Sequence, residues 1–311
     1  MAYQLGQAND VFEVVTAICN FAQSIGWTVQ RNALSGSDQW AVITNPAGQN
    51  FNLLARSGNY SSNESGWGPI ILVAGATGYN AGGSFTNQPG TSYRGAGTFT
   101  CVNRMPGPFQ AHHLFGTDNY IHCVVEVTTG NFRHLLLGNI EKYGTWTGGE
   151  FVATTYAHAL DYQNYLLFGE GSDSFGSPFG SPATDSFSMV RVVADAKDWR
   201  YYNTDWSDDV DVTGRVVGSR SYRGLVDSLP NDWNTIPNLV PIVLSVPKLG
   251  GLRYPVGHLR DVRAINMGNL QPSQSITLGS DEWMVFPSLQ RNSPTNYLNS
   301  GNYGYAYRKV T

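Results

Sequence analysis

The amino-acid sequence predicts an α+β fold dominated by antiparallel β-sheets, with one clear helix near the N-terminus. Charged residues make up only 14% of the 311 residues, whereas aromatic residues (13%) and glycine (35 residues) are abundant. Glycine supplies the positive φ angles that tight turns need, so this composition is typical of β-rich folds with many turns. Low charge combined with many Tyr and Trp is also typical of surfaces that other proteins cover.

One stretch near the N-terminus has the periodicity of an amphipathic helix. Asp10 is placed to cap its first turn, and Glu13 follows three residues later as in a capping box. Gly26 is the predicted stop at the C-terminal end. The apolar residues that recur at three- and four-residue steps, and so share one face, are Val11, Val14, Val15, Ile18, Ala22 and Ile25.

After the helix, short apolar runs alternate with turns rich in Gly, Ser, Asn and Pro, which predicts strands. The helix and an antiparallel meander form a predicted lobe of residues 1–97 that ends in a long glycine-rich loop at 75–97. Residues 98–311 form a predicted larger β-rich lobe with an exposed Gly/Ser/Pro loop at 169–186. The predicted strands are 27–32, 39–44, 51–56, 69–74, 188–194, 215–219, 240–246, 275–277 and 283–286.

The best hairpin candidate joins residues 120–127 to residues 132–140. An even-numbered loop pairs Val127 with Phe132, and it pairs Glu126 with Arg133 as a favourable cross-strand ion pair. In that register His122 and His134 point to opposite faces of the sheet. A loop of three or five residues would instead bring these two histidines to the same face.

Charge and hydropathy argue against several classes of partner. The net charge is −4 and the sequence has no run of Lys or Arg, so direct nucleic-acid binding is not expected. No apolar run nears the roughly 18 residues of a membrane span, and the N-terminus lacks the pattern of a secretory signal. The three cysteines, Cys19, Cys101 and Cys123, lie among apolar neighbours and are predicted to be buried free thiols of a chain made in a reducing cytoplasm.

Two clusters of residues raise the hypothesis of a metal site. His112, His113, His122 and His134 fall in one short region, with His158 nearby, and imidazoles are common zinc ligands. Asp208, Asp209 and Asp211 form an acidic stretch that offers oxygens to calcium but departs from the EF-hand pattern. The alternatives are hydrogen-bonded histidines in a β-rich core and a strand with one solvated face. No cofactor is predicted.

Catalytic motifs are absent from the sequence. No spacing selects the pair of carboxylates that a glycosidase needs. The nucleophile motif GxSxG is missing, and the glycine-rich loops lack the Lys-Ser/Thr of a phosphate loop. We therefore expect a protein that is not an enzyme.

Exposed aromatic residues are the candidates for a protein–protein interface. Trp146 lies between glycines in the turn GTWTGG, where it could be an interface anchor or sugar platform, or fold back onto the sheet. The tyrosines near the C-terminus belong to a tail that is either solvated or docked onto something. The full set of interface candidates is Trp146, Tyr143, Tyr79, Tyr93, Tyr303, Tyr305 and Tyr307.

Two segments resemble parts of known proteins. The first, FRHLLLGNIEKYGTWTGGEFVATTY, spans residues 132–156. The second comprises PVGHLRDVRAIN (255–266) and LGSDEWMVFPSLQRN (278–292). Both resemble segments of virion structural proteins of tailed bacteriophages, in their tail and baseplate parts.

This resemblance implies a non-enzymatic structural component of the tail tip or baseplate. Such a protein would assemble in the host cytoplasm, form a homo-oligomer and contact other virion proteins. An alternative is a glycan-recognising receptor-binding protein or depolymerase of a phage tail. The resemblance implies no catalytic residues.

Overall fold

The fold is β-dominated, as predicted, with one helix among the residues that can be described. The computed structural model describes residues 2–58, 68–93, 100–158, 163–165, 188–193, 198–201, 238–247, 253–294 and 300–309. The helix is α1 (Val11–Ser24). The strands are β1 (Ala2–Gly6), β2 (Thr28–Ser35), β3 (Asp38–Thr44), β4 (Asn50–Arg56), β5 (Ile70–Ala76), β6 (Thr100–Val102), β7 (Ala111–Gly116), β8 (Tyr120–Thr128), β9 (Asn131–Asn139), β10 (Glu141–Lys142), β11 (Gly148–Thr154), β12 (Tyr156–His158), β13 (Gln163–Tyr165), β14 (Met189–Val192), β15 (Trp199–Tyr201), β16 (Val240–Pro247), β17 (Arg253–Asn266), β18 (Ser275–Leu278), β19 (Asp281–Pro287) and β20 (Tyr303–Lys309).

Three antiparallel sheets contain most of these strands. The meander sheet has the order β2-β3-β4-β5-β6. The central sheet has the order β1-β7-β8-β9-β11-β14-β15. The C-terminal sheet has the order β10-β17-β20-β19-β18, and β16 pairs with β17. A separate pair joins β12 to β13.

The helix forms as predicted, with one difference at its N-terminal cap. The Asp10 carboxylate accepts hydrogen bonds from the backbone N–H groups of Phe12 and Glu13, both at 2.9 Å. The Glu13 carboxylate accepts a hydrogen bond from the N–H of Asn9 at 2.7 Å, whereas a capping box would use the N–H of Asp10. The predicted apolar face is buried except for Ile25, which is the C-cap residue and is half-buried, and Gly26 follows with a φ of 87°.

The central sheet is covered on both faces. On one face, Leu114, Cys123 and Leu135 pack with α1 and the inner face of the meander sheet. On the other face, Phe115, Leu136 and Phe151 pack against the C-terminal sheet. A strand that is buried on both faces does not have to alternate apolar and polar residues. This explains why three leucines, Leu135 to Leu137, follow one another in β9.

The predicted boundary at residue 97 does not divide the core. β1 pairs with β7, and β6 completes the meander sheet by pairing with β5. Helix residues and residues from β8, β9 and β11 belong to one apolar cluster. The chain segments on either side of residue 97 therefore share one hydrophobic core.

The predicted loop at 75–97 is described up to residue 93, and its first residues complete β5. Residues 77–93 fold onto the outer face of the meander sheet, where Phe85 is buried. The loop is held by its own hydrogen bonds, including Thr77 N–H to Pro89 O at 2.9 Å and Ser92 N–H to Gly75 O at 2.8 Å. The predicted loop at 169–186 and the predicted strand at 215–219 lie outside the described residues.

The predicted register of the β8–β9 hairpin is wrong by one residue. A β-bulge between Glu126 and Thr128 adds one residue to β8, so Glu126 pairs with Phe132 and Val125 with Arg133. The predicted Glu126–Arg133 pair does not form. The Glu126 carboxylate accepts from Gly130 N–H at 2.8 Å, and Arg133 is buried and donates to Asn103 O and Asn131 Oδ1.

Replacing Asp10 with alanine is expected to lower the free energy of unfolding by about 1 kcal/mol, because two N–H groups of the first helical turn lose their acceptor. Chemical denaturation measures the change. Asp10→Asn is the matched control, since asparagine caps helices as well as aspartate does. Equal destabilisation by both substitutions would contradict the capping role and point to the lost charge.

Candidate functional site

The candidate histidines all lie on the central sheet. His112 and His113 are on β7, His122 is on β8 and His134 is on β9. The corrected register places His122 and His134 on the same face, contrary to the even-loop prediction. His113 shares that face and packs against Phe286 of β19, with 4.8 Å between ring centroids. His158 belongs to a strand whose side chains are not described.

His134 is held by hydrogen bonds at both ring nitrogens. Its Nε2 lies 2.8 Å from the carbonyl oxygen of Pro287, and its Nδ1 lies 2.6 Å from the hydroxyl of Tyr307. A carbonyl can only accept, so Nε2 carries the proton and the Tyr307 hydroxyl donates to Nδ1. The rings of His134 and Tyr307 are also stacked. This side chain therefore links β9 to β19 and β20.

His122 makes a further link out of the central sheet, whereas His113 bonds within it to Tyr3 of the neighbouring strand β1. His122 Nε2 donates to the carbonyl oxygen of Arg260 on β17 at 3.1 Å. His113 Nδ1 lies 3.0 Å from the hydroxyl of Tyr3. Burial lowers the pKa of His113 and His122 to about 4 and the pKa of His134 to about 3. All three imidazoles are neutral at pH 7 and act as structural groups.

The structure bears on the metal hypothesis for the histidines but not on the one for the aspartates. His134 has both ring nitrogens engaged and could bind a metal only by breaking a hydrogen bond. Within the residues that the structure describes, no three His, Cys, Asp or Glu side chains gather as a metal site would require. Asp208, Asp209 and Asp211 lie outside those residues, so the calcium hypothesis on them stays a prediction.

Tyr303, Tyr305 and Tyr307 are core residues, which corrects their prediction as interface candidates. They lie on β20, which pairs with β17 on one side and β19 on the other. Their side chains are fully buried between the C-terminal sheet and the central sheet. The sequence around them is rich in Asn and Gly and resembles a solvated tail, whereas their burial depends on strands distant in sequence.

Tyr79 and Tyr93 are half-buried at the outer face of the meander sheet. The ring of Tyr79 meets the edge of Trp40 at 6.5 Å between centroids, and the ring of Tyr93 meets Phe85 at 5.8 Å. Both tyrosines help to seal the 77–93 loop onto the sheet. Their role in an interface stays a prediction.

A second β-bulge sets the path of β17. Residues 257 and 258 of β17 pair with β10, whereas residues 262–266 pair with β20. Between these halves Asp261 adopts a φ of 53°, which is uncommon for a residue other than glycine. Its carboxylate accepts a hydrogen bond from the Tyr120 hydroxyl at 2.8 Å and forms an ion pair with Arg308. No local sequence pattern identified this position.

The loop between β10 and β11 and the chain segments that bond to its backbone carry apolar side chains, which we call together the aromatic surface. It consists of Tyr143, Trp146, Val193 and Tyr254. Tyr143, Val193 and Tyr254 are 46%, 40% and 44% exposed. Trp146 is half-buried against the core, with the ammonium of Lys142 over its ring at 5.3 Å.

Backbone hydrogen bonds hold this loop in place on both sides. Tyr143 N–H donates to Val256 O on β17 at 2.9 Å, and Val193 N–H donates to Thr147 O at 3.1 Å. The Trp146 ring packs partly against the core, as in the prediction of a ring folded back onto the sheet, and its role in an interface stays a prediction. Tyr143 is exposed, and its role in an interface stays a prediction. Sequence reasoning did not identify Val193 or Tyr254.

Charged side chains border the aromatic surface and form its rim. The Glu141 carboxylate lies 3.5 Å from the Arg260 guanidinium and 3.8 Å from His258 Nε2. Lys142 lies on the other side and donates to Trp146 O at 2.7 Å. Apolar side chains enclosed by charged ones are the arrangement found in protein–protein interfaces.

Comparison of the chain with known protein families and with curated protein sequences finds no match. In the part of the chain that the structure describes, no helix is long and apolar enough to cross a membrane.

The stability of the fold is expected to fall as the pH decreases from about 6.5 to 5, with a contribution of about 1.4 kcal/mol per pH unit from each of His113, His122 and His134. The pKa of each imidazole is lower in the folded chain than its usual 6.5. The unfolded chain therefore binds more protons in this window. Denaturation at several pH values measures the slope.

His134→Gln should reduce that slope by about one proton's contribution, roughly 1.4 kcal/mol per pH unit, whatever its effect on stability at neutral pH. His258→Gln is the control, because His258 is partly exposed and should change the slope less. An unchanged slope in His134→Gln would show that His134 is not kept neutral by burial.

Tyr307→Phe is expected to lower the free energy of unfolding by about 1–3 kcal/mol, because it leaves the buried Nδ1 of His134 without a donor. Tyr143→Phe removes an exposed hydroxyl and should change stability by less than about 0.5 kcal/mol. Thermal or chemical denaturation of the two variants side by side measures both. Similar effects in the two would argue against the His134–Tyr307 bond as a link between the sheets.

Proposed function

We propose that this chain is a non-enzymatic structural component of a tailed-phage virion, in the tail tip or baseplate. It acts in several copies, through contacts with itself and with other virion proteins, after assembly in the host cytoplasm. The observation that carries the proposal is the aromatic surface, which lies where the two phage-like segments meet.

The contact between these two segments supports the proposal. Residues 141 and 142 of the first segment pair with residues 258 and 257 of the second. Phe132 N–H, at the start of the first, donates to Leu289 O of the second at 2.8 Å. Segments separated by about a hundred residues thus form one continuous structure that supports the loop of Tyr143. Both segments that resemble parts of phage virion proteins therefore contribute to the same part of the fold.

The use of the titratable side chains gives further support. His113, His122 and His134 bond to tyrosine hydroxyls or backbone carbonyls of other strands. Burial raises the pKa of the Cys19 and Cys123 thiols to about 12. Thiols with such a pKa are protonated and unreactive at neutral pH. Groups that enzymes often use for chemistry are here used for packing, which favours a protein that works by its shape.

Glycan recognition is the second candidate function, and one observation favours it. The exposed ring of Tyr143 lies beside Glu141 and Arg260, with Tyr143 and His258 5.6 Å apart between ring centroids. An exposed aromatic ring could stack on the apolar face of a sugar, while the carboxylate and guanidinium bond to its hydroxyls. Direct binding to a glycan array measures this function separately from assembly.

Electron microscopy of phage particles labelled with an antibody against the purified chain tests the virion proposal. Label is expected at the tail end of intact particles. An antibody against a major capsid protein is the positive control, and particles lacking the chain are the negative one. If intact and partly disrupted particles both remain unlabelled, the virion role is wrong. Glycan binding together with unlabelled particles would favour the second candidate.

A further inference from the structure

Two buried histidines of the central sheet are adjacent in sequence and lie on opposite faces. His112 and His113 of β7 are only 3% and 5% exposed. Successive side chains of a strand alternate between the two faces. His112 therefore shares the face of Leu114, towards α1, and His113 shares the face of Phe115, towards the C-terminal sheet.

The N-terminal strand β1 covers both imidazoles. On the face of α1, the His112 ring lies directly against Gly6, where a Cβ atom would come within 2.5 Å of Nε2. On the other face, the Tyr3 hydroxyl lies 3.0 Å from His113 Nδ1, and the two rings are stacked. Separation of β1 from β7 therefore removes cover from both imidazoles at once.

β1 is held less firmly than the middle of the central sheet. It lies at the edge and pairs with β7 alone among the described strands, and none of its five residues is buried. β8 and β9 have a neighbour on each side and are almost wholly buried. Local opening is easiest where few buried contacts are lost, so β1 can separate without unfolding of the sheet.

The closed position of β1 leaves His112 without polar contacts. Both of its ring nitrogens are buried and have no hydrogen-bond partner among the described residues. An unpaired buried polar group costs free energy, and a charged one costs more. In water both nitrogens are hydrogen-bonded and the imidazole takes up a proton in mild acid. His112 therefore favours the open position of β1, and favours it more strongly as the pH falls.

The charged groups on the face of His113 are already paired. Lys309 of β20 lies over the Tyr3 ring at 5.3 Å and donates to Glu282 of β19 at 3.0 Å. Glu126 of β8 shares this face, and its carboxylate accepts from a backbone N–H group of the β8–β9 turn. Burial and the adjacent His112 lower the pKa of His113 to about 4.

The charged groups on the face of His112 do not compensate a proton there either. Arg133 of β9 shares this face, since His112 and Arg133 both lie opposite Val125 of β8. The carboxylates of Asp10 and Glu13 at the start of α1 accept from backbone N–H groups of their own segment. Burial lowers the pKa of His112. Both imidazoles are thus neutral while β1 is closed and gain protons when it opens.

We propose that β1 is released by acid, because protonation of His112 and His113 separates it from β7 while the rest of the central sheet stays folded. β7 then becomes the edge of the sheet, and the backbone groups that had paired with β1 are open to water or to another strand. This device is independent of the virion role proposed above.

Amide hydrogen exchange of the intact chain, followed by nuclear magnetic resonance, measures the opening of β1. Each imidazole has a pKa of about 6.5 in the open state, so it raises the opening constant by up to about tenfold per pH unit. After correction for intrinsic exchange rates, protection of the β1 amides that bond to β7 is expected to fall about 10- to 100-fold between pH 6 and pH 5.

The amides of β8 and β9 provide the reference for unfolding of the whole sheet. Global unfolding also frees His122 and His134, so these amides should be better protected than β1 and should lose protection more steeply with acid. The same protection and the same slope in β1 as in β8 and β9 would show that acid acts only through global unfolding, and would overturn the inference.

Glutamine variants identify the groups that titrate. His112→Gln combined with His113→Gln removes both imidazoles and keeps polar side chains, so β1 protection should change by less than about twofold between pH 6 and pH 5. Each single variant should give an intermediate slope. His112→Leu removes the unpaired nitrogens and should raise β1 protection at pH 6 at least about fivefold. The β8 and β9 amide signals check that each variant keeps the fold.

His258→Gln is the control, because His258 is partly exposed and lies on β17 of another sheet. This variant should keep the wild-type response of β1. Three results would each overturn the inference: wild-type β1 protection that does not change between pH 6 and pH 5, a double variant that keeps the wild-type slope, and weaker β1 protection in His112→Leu than in the wild type. None of them bears on the labelling of virions, which is a separate measurement.

Discussion

Burial of the central sheet on both faces is the constraint that the rest of the structure depends on. The sheet is covered by α1 and the meander sheet on one side and by the C-terminal sheet on the other. Its buried polar side chains are therefore shielded from bulk water as a source of hydrogen bonds. A buried polar residue there is stabilised by an internal partner. Arg133 donates to Asn103 O and Asn131 Oδ1, and His134 uses both ring nitrogens. The bonds of His134 to Pro287 and Tyr307 hold the C-terminal sheet against the central sheet.

The bulge at Asp261 shows how this constraint reaches the surface. Tyr120 and His122 are stacked on β8, with 4.2 Å between their ring centroids. Tyr120 bonds to the Asp261 carboxylate and His122 to the carbonyl oxygen of Arg260. These two bonds fix the point at which β17 changes its neighbour from β20 to β10. The half of β17 that pairs with β10 then supports the loop of Tyr143, so the position of the aromatic surface depends on the buried sheet.

Local features of the fold were predictable from the sequence. The apolar periodicity of α1 and the apolar runs of the meander sheet identify their elements because neighbours in sequence are also neighbours in space. The β8–β9 register was not predictable, because the bulge before Thr128 leaves no clear composition signal. The burial of β20 was missed for a related reason. Its tyrosines are covered by β17, β19 and the central sheet, whose residues are distant in sequence.

The same distinction applies to the aromatic surface. Tyr143 and Trp146 belong to a turn with glycines, so the sequence identified them as candidates. Val193 and Tyr254 reach the same loop through pairing of β11 with β14 and of β10 with β17. Their position follows from the sheet topology, and a linear pattern carries no information about it.

The exposed leucines at the outer strands of the three sheets differ from the apolar side chains near the loop of Tyr143. Leu5, Leu34 and Leu278 are exposed on β1, β2 and β18, which lie at sheet edges among the described strands. β1 and β18 are short, with five and four residues. β2 is interrupted by a bulge between Val29 and Arg31. Short and bulged edge strands are the features by which proteins prevent edge-to-edge pairing. The loop of Tyr143 is not a sheet edge, so its exposed apolar side chains are not protected in this way.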